Sequence, residues 1–573
     1  MEQSPASHKL IIYQLLPRLF GNAITKNKFY GSIQENGVGK FNDISDKALK
    51  ELKNMGFTHV WYTGIIEHAT MTDYSAYGIE SDDPDVVKGR AGSPYAIKDY
   101  YDVAPDLAVD VPNRIAEFEA LLSRTHQQGL KVIIDLVPNH VARTYASDKK
   151  PDGVRNIGED DDKSKSFSPQ NDFYYIPGNS LVVPYGYNPG GNEFISPLKD
   201  GKFDENPAKA TGNDVFSAWP SINDWFETCK LNYGVDYLNG HGLHFDPIPP
   251  LWQKILDILL FWANKGVDAF RCDMVEMVPI EFWGWVIPKL KESYPAIVFI
   301  GEAYNTNLYG KYIFDGKFDY LYDKVGLYDA IKRLTCNPYE ASTWEINRVW
   351  NHDTKGIDEH MLRFMENHDE QRIASKYFAG NPWLAVPGMI VSATLATGPV
   401  MVYFGQEVGE PAEGAQGFSG DDGRTTIFDY WGVTEHQKWV NNCKFDGAQL
   451  SDSQKALRHF YAKLLNTVNS KPALKDGSFY ELMIANEHQQ GFNQQLYIFL
   501  RYIENQLILV ITNFSRTESS ITIKLPDDLL SKFNLMGKVI FTDLLSGNKL
   551  STDNIASGLQ LSLPASSGML LEF

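Results

Sequence analysis

Residues 266–273 read Gly266-Val267-Asp268-Ala269-Phe270-Arg271-Cys272-Asp273. They follow a segment, 249–265, in which Leu251, Ile255, Ile258 and Trp262 recur at helical spacing, with Gly266 as the stop. The stretch is apolar enough for a strand covered on both sides, yet it closes on two charged residues. Alternation puts Val267, Ala269, Arg271 and Asp273 on one face and Asp268, Phe270 and Cys272 on the other. Arg271 and Asp273 therefore share the C-terminal end of the strand. A neighbouring guanidinium keeps a carboxylate ionised, as a nucleophile requires, although a structural Arg–Asp pair would read the same way.

Outward from this unit the rhythm repeats: short apolar strand, polar loop, amphipathic helix, glycine. Residues 10–16, 59–63 and 131–137 precede it as strands, and 297–302, 318–322, 361–365 and 400–404 follow. The helix before the third strand starts near Asp110 and Pro112, carries Ile115, Phe118 and Leu122 on one face, and stops at Gly129. Eight such strands predict an α/β fold, a closed (β/α)8 TIM barrel. Two stretches break the rhythm. Residues 141–245 are rich in Gly, Pro, Asn and Asp, with an acidic run from Glu159 to Asp162, and read as an irregular insertion after the third strand. From 475 to 573 the pattern alternates, as in 496–501, 507–512 and 520–524, and predicts an antiparallel β-sandwich domain. The expected division is a barrel over 1–140 and 246–474, an insertion over 141–245 and a C-terminal domain over 475–573.

A chain of 573 residues has room for two or three domains, and 43% hydrophobic with 22% charged residues is a globular profile. A formal charge of −19 argues against nucleic acid, whose phosphates demand a basic surface. Aromatic residues at 13% suit either a large core or recognition of sugar CH faces. Cys229, Cys272, Cys336 and Cys443 have no metal-type spacing and are expected to be free, buried thiols. No apolar run is long enough for a membrane span, and residues 1–8 lack signal-peptide regions, which fits a cytoplasmic chain or the mature part of an exported one.

Barrel enzymes place reactive groups where strands end. The fifth strand delivers Glu302 beside Asp273; shielded from water, its protonated form would be favoured and could act as general acid, with Gly301 leaving room for a ligand. The seventh strand ends on His368 and Asp369, the third on Asp135, Asn139 and His140. One histidine at a strand end is ordinarily structural, but four strand ends bearing Asp, Glu, His or Arg point to a site.

Residues 135–140, 266–275, 301–304 and 366–372 resemble, in order, the four sequence blocks of the α-amylase family, glycoside hydrolase family thirteen. Residues 12–20, 59–64 and 398–407 resemble its first, second and eighth strands, so the likeness spans nearly the whole chain. The resemblance implies a retaining glycosidase acting on α-glucosidic bonds of starch-derived glucans or maltooligosaccharides. It makes Asp273 the nucleophile, Glu302 the acid/base and Asp369 the carboxylate that grips sugar hydroxyls. Arg271 would orient Asp273, His140 and His368 would bind the sugar at the cleavage point, and Tyr95 would stack beneath it. Asn139 resembles a ligand of structural Ca2+; no cofactor is implied for the chemistry. Retention requires carboxyls about 5–5.5 Å apart.

Met274-Val275-Glu276-Met277 departs from the Lys-His that many amylases carry at the last two positions, so the acceptor side is expected to differ. An insertion over 69–90 is expected to enlarge or cap the cleft. The rival readings are a glucanotransferase or phosphorylase on the same scaffold, a non-catalytic sugar-binding protein, and a metal-dependent hydrolase using Asp135, His140, Glu302 and His368.

Overall fold

The computed structural model describes residues 9–414, 417 and 420–573. Its centre is a closed barrel of eight parallel strands: β1 (Ile11–Leu15), β2 (His59–Tyr62), β3 (Lys131–Leu136), β4 (Ala269–Cys272), β5 (Val298–Gly301), β6 (Tyr320–Tyr322), β7 (Met361–Phe364) and β8 (Val400–Tyr403). Each of the eight expected strands is present. Their apolar runs follow from position: side chains pointing inward fill the barrel, while those pointing outward meet helices. Helices α1 (Asp46–Asn54), α2 (Arg114–Gln127), α3 (Pro250–Asn264) and α4 (Ile280–Ser293) belong to that outer ring. On α3, Leu251, Ile255, Ile258 and Trp262 are all buried. Asp268, on the outward face of the strand entry, meets His126 of α2 at 2.8 Å, as alternation requires.

Residues 141–245 form a mostly irregular excursion held by short antiparallel pairs, His140–Ala142 with Thr228–Lys230 and Tyr175–Ile176 with Ala208–Lys209. The C-terminal region is antiparallel. Strands β9 (Ser478–Glu481), β10 (Leu496–Ile503), β11 (Gln506–Asn513), β13 (Val539–Asp543), β14 (Lys549–Thr552) and β16 (Ser567–Glu572) form one sheet in the order β9–β10–β11–β16–β13–β14. The remaining two, β12 (Ser519–Ile523) and β15 (Leu559–Leu563), pair separately, and their apolar face joins the same core through Ile521, Ile523, Leu559, Leu561 and Leu563.

Gly301 differs from the sequence expectation. A Cβ there would come within 2.8 Å of Leu321 Cδ2 and 3.1 Å of Phe318 Cδ1, so the glycine permits strand-to-shell packing rather than ligand access. The thiols also differ in part: Cys229 and Cys272 are buried, but Cys336 is half-buried and Cys443 exposed. Among the described residues, no helix is long and apolar enough to cross a membrane.

Candidate active site

Strand register brings the charged side chains together. Arg271 pairs with Asp135 across β4 and β3, while Cys272 pairs with Gly301 across β4 and β5. One residue further on, the amides of Asp273 and Glu302 donate to Leu136 and Cys272 carbonyls at 2.9 and 3.0 Å, carrying both carboxyls onto the C-terminal rim.

Arg271 is the hub of the site. Its Nη1 donates to Asp273 Oδ1 at 2.7 Å and its Nη2 lies 2.8 Å from Glu302 Oε2. Nη1 also reaches Asp135 Oδ1 at 3.4 Å, and Nε reaches the Tyr322 hydroxyl at 3.2 Å. One planar fork therefore spans both carboxyls, an arrangement an ammonium point charge cannot copy. The guanidinium is fully buried among the rings of Trp61, Tyr95 and Tyr322, where it lacks water to weaken its field.

Glu302 is held on both oxygens. The Tyr304 hydroxyl donates to Oε1 at 2.6 Å and the Met274 amide donates to Oε2 at 2.8 Å. Met274 achieves this in the left-handed region at φ 43°, a costly conformation for a side-chain-bearing residue and one typical of functional turns. Glu276 accepts from the amides of Tyr304 and Asn305, both at 2.9 Å. That residue, which departs from the family pattern, thus clamps the loop after β4 to the loop after β5. Neither the Tyr304 hydroxyl nor the Glu276 clamp was foreseen.

After β7, the Asn367 side chain accepts from the amides of Asp369 and Glu370, both at 2.9 Å, and turns Asp369 toward the cavity. Gln14 Nε2 donates to His368 Nδ1 at 2.8 Å, which leaves the imidazole proton on Nε2. That nitrogen lies 2.5 Å from the Tyr95 hydroxyl and 3.1 Å from Asp369 Oδ2. The Tyr95 and His368 rings stack at 5.3 Å. Burial, then the charge of Arg271, pushes His368 well below its ordinary value, so it is a neutral donor. Burial likewise pushes His140 down to about 3; its ring packs 5.2 Å from that of Trp225.

Tyr95, His140, Asp273, Glu302 and Asp369 line a single cavity of about 540 Å3. Arg271 and His368 lie directly behind it. Carboxyl crowding shapes its charge: burial, then Glu302, pushes Asp273 upward against the pull of Arg271, and the same two causes push Asp369 to about 8. With one guanidinium facing several carboxyls, burial and mutual repulsion disfavour the charged forms of Asp273 and Asp369, and Arg271 opposes that push.

Asn139 is the exception among the expected site residues. Its Nδ2 donates to the Gly212 carbonyl at 2.7 Å, and its Oδ1 accepts from Lys230 Nζ at 2.8 Å. Lys230 is itself buried and paired with Asp214 at 2.6 Å. An ammonium thus stands where the resemblance implies Ca2+, and the Asn139 oxygen does not fit a metal ligand.

The match to the family described as "Alpha amylase, catalytic domain" covers residues 14–477. The chain belongs to the α-amylase family. It is a glycoside hydrolase of this α-glucan-acting family, and its relatives span the chain. It is 22% identical over 521 residues to "Alpha-amylase 3" of Dictyoglomus thermophilum, covering 87% of this chain and 86% of that protein. It is also 22% identical to "Trehalose-6-phosphate hydrolase" of Bacillus subtilis, covering 92% of each. An α-amylase from Geobacillus thermoleovorans, solved with acarbose, shares the fold with a TM-score of 0.63 at 16% identity, over 99% of both chains.

Proposed function

We propose that this α-amylase-family chain hydrolyses α-1,4-glucosidic bonds of starch-derived glucans or maltooligosaccharides with retention of configuration. The observation that carries the reading is the single Arg271 fork spanning Asp273 and Glu302 at the wall of a cavity that also bears Asp369. Glu302 gives its proton to the glycosidic oxygen as Asp273 attacks the anomeric carbon. The bond to the leaving sugar breaks and a glycosyl ester forms on Asp273. Glu302, now a base, takes a proton from water, whose oxygen attacks the same carbon and frees Asp273. Asp369 and His140 grip hydroxyls of the distorted ring, His368 holds Tyr95 and Asp369 from behind, and Tyr95 supports the apolar face of the ring.

Preference for a chain over a single disaccharide rests on the cleft. The catalytic cavity shares Lys88 and Ile222 with a second cavity of about 1130 Å3, walled by Tyr30, Tyr187 and Phe194 between the first barrel loop and the insertion. Lys88, at the end of the 69–90 insertion, pairs with Glu227 at 3.1 Å and so sits at the join.

The test is Asp273→Asn and Glu302→Gln, with the anomeric form of the first product read by NMR during maltoheptaose digestion. Loss of turnover in both by roughly 10³-fold or more, with an α-anomeric first product from the wild type, supports the assignment. Activity in Asp273→Asn, or a β-anomeric first product, removes it. Products longer than maltoheptaose would move the second half-reaction from water to a sugar acceptor.

A further inference from the structure

A group of carboxyls unrelated to the catalytic cavity gathers at the base of the insertion. Glu67 lies in the short strand Ile66–His68, and Asp99 and Asp102 lie in its antiparallel partner Ile97–Val103, with Glu67 opposite Asp99 in register. Asp148 comes from the chain just after His140–Ala142. One carboxylate oxygen from each of the four lies within 4.8 Å of the others. Three are deeply buried: Glu67 is 2% exposed, Asp99 and Asp102 0%.

Most of the group has donors. Asp99 Oδ1 accepts from the Tyr101 amide at 2.8 Å, and Oδ2 from the amides of Asp148 and Lys149 at 3.0 and 3.1 Å. Asp102 accepts from the Val103 amide and from Arg114 Nε at 2.8 Å. Asp148 is only loosely placed, 3.9 Å from Arg114 and 4.0 Å from Lys149. Glu67 Oε2 is buried with no hydrogen-bond partner among the described residues, and one oxygen of the same carboxyl lies within the four-residue group. Such an atom costs free energy unless something positive meets it. The nearby lysine does not, because Lys98 Nζ is taken by Asp82 at 3.2 Å. Burial, then the Asp102 charge, drives Glu67 well above the carboxylate range.

We propose that Glu67, Asp99, Asp102 and Asp148 form a binding site for a hard divalent cation of the Ca2+ type. Four carboxylate oxygens and no nitrogen or sulfur suit such an ion and not zinc. An ion about 2.4 Å from each oxygen sets opposite ligands at most about 4.8 Å apart, and no two of these four oxygens lie further apart than that. The Glu67 carboxyl then gains a positive partner, while Arg114 continues to hold Asp102. The ion ties three pieces of chain together: the loop after β2, the strand that follows Tyr95, and the root of the insertion. It is separate from Asn139, where Lys230 supplies the positive charge.

The test uses the full chain stripped with EDTA and dialysed, with Tm and calorimetric binding followed during CaCl2 and MgCl2 titration. One Ca2+ per chain is expected, with Tm rising by about 2 °C once free Ca2+ exceeds Kd a hundredfold. Glu67→Gln should abolish the response. Asp148→Asn, at an exposed position with only loose ion pairs, should weaken Ca2+ binding by roughly tenfold or more. The proposal is overturned if the stripped wild type neither binds Ca2+ nor gains stability, if Mg2+ alone binds, or if Asp148→Asn responds as the wild type does.

Discussion

Lys230 offers the sharpest test of how the rim is held. Replacing it with methionine keeps the stem and volume but deletes the ammonium, so little cavity opens. Asn139 Oδ1, which accepts from Nζ at 2.8 Å, is left in a residue only 1% exposed, and an orphaned buried acceptor costs about 1–3 kcal/mol. Asp214 loses a partner at 2.6 Å, but its side chain is 37% exposed and water can replace the ammonium, so its share is about 0–1 kcal/mol. Relief from burying a charge offsets part of this. The net loss is about 1–3 kcal/mol. At about 2.1 cal/mol/K per residue, cooperative unfolding of 573 residues carries about 1.2 kcal/mol/K, so Tm should fall by about 1–3 °C. Scanning calorimetry in EDTA keeps the carboxyl group near Glu67 out of the comparison. Because Asn139 precedes His140, kcat/KM on maltoheptaose should fall with Tm. An unchanged Tm together with unchanged kcat/KM would refute the idea that this lysine is the cation holding the Asn139 turn.

Other expectations follow from single contacts. Arg271→Lys keeps the charge but cannot bridge two carboxyls, so kcat should drop by roughly 10²-fold or more while circular dichroism stays the same. A fall of less than threefold would separate the fork from the chemistry. Tyr304→Phe removes the hydroxyl that meets Glu302 Oε1 at 2.6 Å; kcat should fall by roughly tenfold and a limb of its pH profile should move, with KM nearly constant. An unshifted profile would reduce the tyrosine to packing. Asp369 has a folded value near 8, raised from the ordinary 3.8, so the native state keeps a proton that the unfolded chain releases. Its stabilising effect is full below pH ~4 and is lost as pH rises through ~8. Asp369→Asn cannot ionise, so between pH 5 and pH 8 its Tm should fall by less than that of the wild type, while its activity is lost. The effect should be small, about 1 °C, because 28% of the Asp369 side chain meets water. A steeper fall in the variant would contradict the upward shift.

The barrel was legible because its strands are covered on both faces, and few other architectures produce such short, unbroken apolar runs between amphipathic helices. The placing of Asp273 and Glu302 was legible for a related reason: parallel strands in register deliver the first residue past each strand to the same rim, and β4 and β5 are neighbours. Local alternation also settled the outward facing of Asp268. Gly301 shows where that reasoning stops. Its alternation partner is Phe299, not Glu302, so period two already assigns it to the outer face; the ligand reading overlooked the pattern that had placed its neighbours.

What could not be read were contacts whose partner lies far along the chain in irregular structure. Asn139 meets Lys230 across 91 residues of an insertion with no periodicity, so the same Asn reads as a metal ligand until the lysine is seen. Glu67 faces Asp99 only through a strand pair with register shifts at both of its steps, which no spacing rule anticipates. Charge state is more distant still. Arg271 beside Asp273 suggested a simple ion pair, but at the assembled rim the same guanidinium also serves Glu302 and reaches Asp135, and burial pushes Asp273 and Asp135 upward against it. A motif identifies which acids meet. Where their protons rest depends on how many carboxyls share one cation and how much water is excluded, and both are properties of the assembled rim.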